Sequence, residues 1–315
     1  MENNGSVILE TKSIKKAFGG VKALVDGSFT CKQGEIVGLL GANGSGKTTF
    51  SKIIMGLLHS DAGEIYIGGQ PVHFRSPMDA MRQGIVMVHQ QLSLIPDLTV
   101  WENINLGHEP RTKIGALDDD TARKKAAEVI NRLAPGLSLD RVVKTLLPSE
   151  QQLVEIAKAL SKGGKLLILD EPTAALEQTQ VNRLFEIMRE LKSQGTTIIF
   201  ISHRLGEVLE ICDYVVVFRN GANVGTVRFE KDGRDENRIV SLITGKEESG
   251  QQNGAKDRIR SDEVRLEVKR LSAGMLKEIS FAVHRGEIIG IGGLQGQGQE
   301  DLLLMLAGMI HIEKG

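Results

Sequence analysis

The sequence predicts an α/β protein built on a largely parallel sheet wrapped by helices. Three features point there: short continuous apolar runs, helical periodicity between them, and polar residues directly after the runs. The runs are IVGLL (36–40), IVMV (85–88), LLIL (166–169), TIIFI (197–201) and VVVF (215–218). A strand buried on both faces has no position that tolerates a polar residue, so it reads as unbroken apolar sequence. Between the runs, Phe50, Ile53, Ile54 and Leu57 recur at spacings of three and four, as do Leu153, Ile156, Ala157 and Leu160, and Leu184, Ile187, Met188 and Leu191. Strands alternating with such helices give a parallel sheet with helical layers. A glycine loop follows the first run, Gln90 the second, Asp170 and Glu171 the third, and Ser202 and His203 the fourth. Parallel sheets bind ligands at the carboxyl ends of their strands, so polar groups from four strands are aimed at one edge.

Composition narrows the classes of function. The 315 residues carry 39 Lys+Arg against 40 Asp+Glu, a net charge of −1 that gives no electrostatic case for nucleic-acid binding. A hydrophobic share of 41 % with 25 % charged residues suits a folded chain and excludes a disordered one. No apolar run reaches the roughly 18 residues of a spanning helix, and the start MENNGSVILE has neither the basic nor the apolar segment of a secretory signal. Cys31 and Cys212, with no CxxC pattern, read as buried thiols in a reducing compartment. Arg123, Lys124 and Lys125 belong to a solvated helix, ARKKAAEVINRL, with Ala126, Val129, Ile130 and Leu133 inward, and carry no binding role.

The chain also repeats itself. GEIVGLLGANGSGKTTF, from Gly34, returns as GEIIGIGGLQGQGQEDL, from Gly286. Gly56 and Gly63 fall on Gly308 and Gly315 at the same offset, and VILETKSI is echoed by VRLEVKRL. The expected organisation is one domain over 1–245, a polar linker over 246–262, and the opening of a second copy over 263–315, making the sequence a fragment of a tandem protein.

Two segments carry chemistry. Gly41 to Thr48, GANGSGKT, fits GxxxxGK[ST] between a strand and a helix. Glycines let backbone N–H groups wrap a phosphate chain at the positive end of the following helix. Gly41, Asn43, Gly44, Ser45, Gly46, Lys47, Thr48 and Thr49 are thus the expected cradle, with Lys47 charged toward the β- and γ-phosphates and the Thr48 hydroxyl toward Mg²⁺. In LLILDEP (166–172) the apolar strand ends on two carboxylates, which need a nearby cation if buried. Asp170 is placed to hold Mg²⁺ and Glu171 to polarise the water that attacks the γ-phosphate.

With VHQQLSLIPDLTVWENI (88–104), QQLVEIAKAL (151–160), DEPTAAL (170–176), ISHRLGEVLEICDYVVVFRNG (201–221) and LITGKE (242–247), the chain resembles the ATP-binding subunits of ATP-binding-cassette transporters. Within these it is similar to the tandem subunits that energise import of monosaccharides such as ribose, xylose and galactose. The resemblance implies a P-loop NTPase fold with a helical subdomain and N-terminal antiparallel strands, and ATP and Mg²⁺ as ligands. It implies that Gln90 contacts the metal and couples ATP to the membrane partner, that His203 senses the γ-phosphate, that Phe18 stacks on adenine, and that the stretch from Ala174 lines a dimer seam. The implied partners are integral membrane permease subunits, indirectly an extracytoplasmic solute-binding protein, and a second cassette domain or another chain to complete the ATP site, all at the cytoplasmic face of the membrane. Nucleoside import and a soluble cassette ATPase are the rival readings; no NKxD guanine motif is present.

Two departures stand out. Where the family's signature LSxGxQ belongs, this chain has Leu146, Leu147, Pro148, Ser149, Glu150 and Gln151, and Ser149 with Gln152 spells a helix-capping S-x-x-Q. In the second copy Gln299 and Glu300 stand where Lys47 and Thr48 stand in the first. Under the family's geometry the weakened loop and the weakened signature share one composite site, which leaves the other site hydrolytic.

Overall fold

The computed structural model describes residues 6–245, 262–274, 276–292, 298–311 and 314, in two compact units divided between Glu248 and Ser249. The expected linker, 246–262, lies almost wholly outside the described residues.

The first unit opens with β1 (Val7–Phe18), β2 (Val21–Leu24) and β3 (Phe29–Lys32), followed by β4 (Ile36–Leu40), α1 (Lys47–Ile54), β5 (Ala62–Ile67) and β6 (Gln70–Val72). β1 pairs antiparallel with β2, β3 and β5, and β5 with β6, giving an antiparallel N-terminal sheet. The chain continues through α2 (Pro77–Arg82), β7 (Ile85–Val88), α3 (Val100–Asn105), α4 (Asp119–Leu133), α5 (Pro148–Lys162), β8 (Leu166–Asp170), α6 (Gln178–Ser193), β9 (Thr197–Ile201), α7 (Leu205–Ile211), β10 (Tyr214–Arg219), β11 (Ala222–Arg228), α8 (Phe229–Asp232) and α9 (Glu236–Thr244).

A six-stranded sheet in the order β11-β10-β4-β9-β8-β7 forms the centre, parallel except for β11 at its edge. The apolar runs are continuous because alternate residues feed two cores. Ile36 and Leu40, Leu167 and Leu169, and Ile198 and Phe200 pack on the side of α3 to α6, whereas Val37 and Leu39, Leu166 and Ile168, and Ile199 and Ile201 face α1 and the N-terminal sheet. Phe50 anchors α1 between Phe29 and Phe218, with ring centroids 5.5 and 5.1 Å away. In the register Leu39 pairs with Ile201, Asp170 with Ile201 and Val88 with Leu169, so β4, β7, β8 and β9 end together at one edge.

The expected capping by Ser149 and Gln152 does not occur. α5 starts two residues earlier, with Pro148 at its first turn and Leu147 as the flanking residue. Proline's fixed φ suits that position and its missing N–H costs nothing there. The Leu147 N–H donates instead to Glu150 Oε2 at 2.8 Å, while Glu150 Oε1 pairs with Arg141 at 2.8 Å. In α4, Ala122, Ala126, Ile130 and Leu133 are buried, while Val129 packs at the margin of the core.

The second unit contains the hairpin β12 (Val264–Ala273) and β13 (Leu276–His284) and helix α10 (Gln299–Leu306) over a small core of Val268, Leu271, Ala273, Leu276, Leu302 and Met305. Its α10 starts after Gly298 (φ 93°) as α1 starts after Gly46 (φ 103°). Residues 286–292, which repeat the sequence of β4, form no strand, and Ile288 is 85 % exposed. In the first unit that strand is held by β9 and β10, and none of the described residues of the second unit supplies an equivalent. No helix among the described residues is long and apolar enough to cross a membrane.

Candidate nucleotide site

The loop after β4 depends on three glycines for different reasons. Gly41 has φ 150°, and a Cβ there would lie 2.2 Å from the Phe218 carbonyl oxygen and 2.5 Å from Ser45 Oγ. A Cβ on Gly46 (φ 103°) would lie 2.7 Å from the Ala23 carbonyl oxygen. Gly44 (φ 78°) has nothing within 4 Å of that position, so only its backbone conformation demands glycine. The loop folds over Lys47, whose ammonium donates to the carbonyls of Gly41 (2.7 Å) and Ala42 (3.1 Å). Burial lowers the pKa of Lys47, against the attraction of Glu171 and Asp170. The buried Ser45 Oγ has no hydrogen-bond partner.

Opposite the loop, β8 ends on Asp170, which is 2 % exposed. Its carboxyl is pushed up to about 6, mainly by burial and then by the charge of Glu171, with Lys47 pulling the other way. Glu171 has a left-handed backbone, φ 51°, and its N–H donates to the Ile201 carbonyl at 2.9 Å. A non-glycine residue in that conformation costs about 1–2 kcal/mol, and here it turns the carboxylate out of the strand into the cleft. Gln90 Nε2 donates to Glu171 Oε2 at 3.3 Å, and His203 Nδ1 lies 3.4 Å from Glu171 Oε1.

These groups line one cleft of about 730 Å³. Asn43, Gly44, Ser45, Gly46, Lys47, Thr48, Thr49, Gln90, Asp170, Glu171 and His203 all border it, beside Val21, Lys22 and Ala23 of β2. Gly41 lies beneath the loop and contributes its carbonyl to Lys47. Phe18 lies outside the lining: it is 48 % exposed at the end of β1, opposite Val21, with the Lys16 ammonium 5.6 Å from its ring centroid. The contribution of β2 was not foreseeable from sequence, because VKAL carries no motif and is placed only by its pairing with β1.

The donor set suits a magnesium phosphate ester. Among the described residues no three His, Cys, Asp or Glu side chains form a metal cluster of their own. Mg²⁺ at this cleft would be held by Asp170, the Thr48 hydroxyl and Gln90, with phosphate oxygens completing its shell, the usual arrangement for this ion. A buried carboxylate whose ionisation is suppressed by desolvation, an ammonium satisfied only by its own loop and an unpartnered hydroxyl fit such a ligand.

The family profile described as ABC transporter matches residues 24–174, from β2 past Glu171. A solved ATP-binding cassette of an ABC transporter is 30 % identical and superposes with a TM-score of 0.65, covering 75 % of this chain and 98 % of its own. This chain belongs to the ATP-binding cassettes of ABC transporters. A cassette solved in its ADP conformation is 29 % identical with the same TM-score, over 76 % of this chain and 99 % of that one. The cassette is also 39 % identical, over 98 % of its length, to a putative ribose/galactose/methyl galactoside import ATP-binding protein of Burkholderia lata, and 37 % identical to a ribose import ATP-binding protein of Geobacillus kaustophilus. It spans 58 % and 62 % of those two proteins.

Proposed function

We propose that this cassette binds MgATP in the cleft between the Gly41–Thr48 loop and the ends of β7, β8 and β9, and that it hydrolyses ATP to power a sugar importer. The observation that carries this reading is the convergence of Lys47, Asp170, Glu171, Gln90 and His203 on one cleft from four separate strand ends. Lys47 would exchange its two carbonyl partners for phosphate oxygens, so that a charged acceptor replaces a neutral one for the same ammonium. Asp170, Thr48 and Gln90 would hold Mg²⁺, which would supply neutralisation of phosphate charge and favour the ionised form of Asp170. Glu171, steadied through Oε2 by Gln90 and with His203 Nδ1 beside Oε1, would use its carboxylate to orient and deprotonate a water. His203 is in turn placed to hold a γ-phosphate oxygen.

Sugar as the solute rests on the named activities of the relatives. Integral membrane permease subunits, with an extracytoplasmic solute-binding protein acting through them, are the partners this reading requires, and the cytoplasmic membrane face is its location. Residues 263–315 are proposed as the opening of a second cassette with Gln299 and Glu300 in place of Lys47 and Thr48, a loop that would bind MgATP poorly. Reconstitution with its permease tests the reading. Sugar uptake and ATP hydrolysis should both disappear in Lys47→Ala, and uptake that persists in that variant would refute it.

A further inference from the structure

Glu207, in the first turn of α7, does not border the cleft, yet its carboxylate gathers side chains from the two loops that carry Glu171 and His203. Its Oε2 accepts from Thr173 Oγ1 at 2.7 Å and from Ser202 Oγ at 3.0 Å, and its Oε1 pairs with Arg204 Nη1 at 3.0 Å. Thr173 and Ser202 are 1 % and 3 % exposed. Thr173 stands two residues after Glu171 and Ser202 directly before His203. A first-turn acid is favoured by the helix dipole alone. That effect does not explain why two buried hydroxyls from different loops, each with a single proton to donate, spend it on the same oxygen. Ser202 Oγ is committed further, because it also accepts the Arg204 N–H at 3.0 Å. Together with the Glu171 N–H to Ile201 carbonyl bond, the two loops are joined once through backbone and once through Glu207.

We infer that Glu207 is a positioning residue: it clamps the loop after β8 to the loop after β9 and thereby keeps His203 Nδ1 against Glu171. The clamp rests on the proposed function only for its consequence in hydrolysis; as geometry it exists without nucleotide. Carboxylate acceptors of hydroxyl protons form short, strong bonds, and a glutamine would present an amide N–H₂ in place of one oxygen and so break part of the set.

The test is a double-mutant cycle on the full chain without nucleotide, read by the imidazole chemical shifts of His203 at one fixed pH. With seven histidines in the chain, the His203 signal is assigned by its loss in His203→Gln. Glu171→Gln should shift that signal in the wild-type background. In Glu207→Gln the same substitution should shift it by less than about half as much, since coupled residues are non-additive. Thr173→Val should behave as Glu207→Gln does and Thr173→Ser as wild type, so the clamp stays testable if Glu207→Gln does not fold. An equal shift in both backgrounds, or Thr173→Ser as damaging as Thr173→Val, overturns the inference. MgATP affinity should change by no more than about threefold in Glu207→Gln, and a larger loss would place Glu207 in nucleotide binding and overturn the positioning role. A wild-type chain that binds no MgATP would refute the proposed function while leaving the cycle readable.

Discussion

His203 Nδ1 stands 3.4 Å from Glu171 Oε1 across the ends of the neighbouring strands β9 and β8. Gln90 holds the other oxygen of the same carboxylate. The Glu171 carboxylate is thus oriented from both sides, which an isolated carboxylate at a strand end would not be.

Glu171→Gln keeps the shape and the contact with Gln90 but cannot take a proton. Hydrolysis in the assembled transporter should fall by roughly 10²–10⁴, the range for loss of a general base, with MgATP affinity changed by no more than about threefold. Single-turnover kinetics beside equilibrium binding separates the two effects.

Asp170 makes a pH prediction. With its carboxyl at about 6 in the fold, against 3.8 ordinarily, the folded state holds the extra proton between those values. Stability of the nucleotide-free chain therefore falls as pH rises through that window and is level above it. Asp170→Asn removes the cost of the buried charge. It should stabilise the nucleotide-free chain by up to about 3 kcal/mol near pH 8 and by almost nothing near pH 4. Urea unfolding at the two pH values measures the difference, and the same variant should lose the Mg²⁺ dependence of nucleotide binding.

The loop glycines separate folding from binding. Gly41→Ala meets backbone at 2.2 Å and should cost about 3 kcal/mol or more. Gly44→Ala meets nothing and should cost only about 1 kcal/mol, from its left-handed backbone. Because Gly44 borders the cleft, its substitution should weaken nucleotide binding in a chain that still melts cooperatively.

What was legible in the sequence followed from burial on two sides. Leu166 and Ile168 serve one core and Leu167 and Leu169 the other, so β8 had to be an apolar run, and whatever followed it had to reach the sheet edge. That reasoning placed Gln90, Asp170, Glu171 and His203 together. It failed where tertiary contacts decide. The S-x-x-Q pattern at Ser149 lost to Pro148 and to Glu150, whose Arg141 partner lies nine residues upstream. Residues 286–292 copy β4 in sequence but lack its flanking strands, and strand formation needs partners as well as apolar side chains. The Thr173–Glu207 bond spans 34 residues and leaves no periodic trace.

If the cleft grips a magnesium triphosphate through Lys47, calorimetric titration of the full chain with MgATP should give a saturable heat with wild type and an affinity weakened about 10- to 100-fold in Lys47→Ala, through the loss of charge-assisted hydrogen bonds. Absence of saturable heat in wild type, or equal binding by both proteins, would contradict that grip.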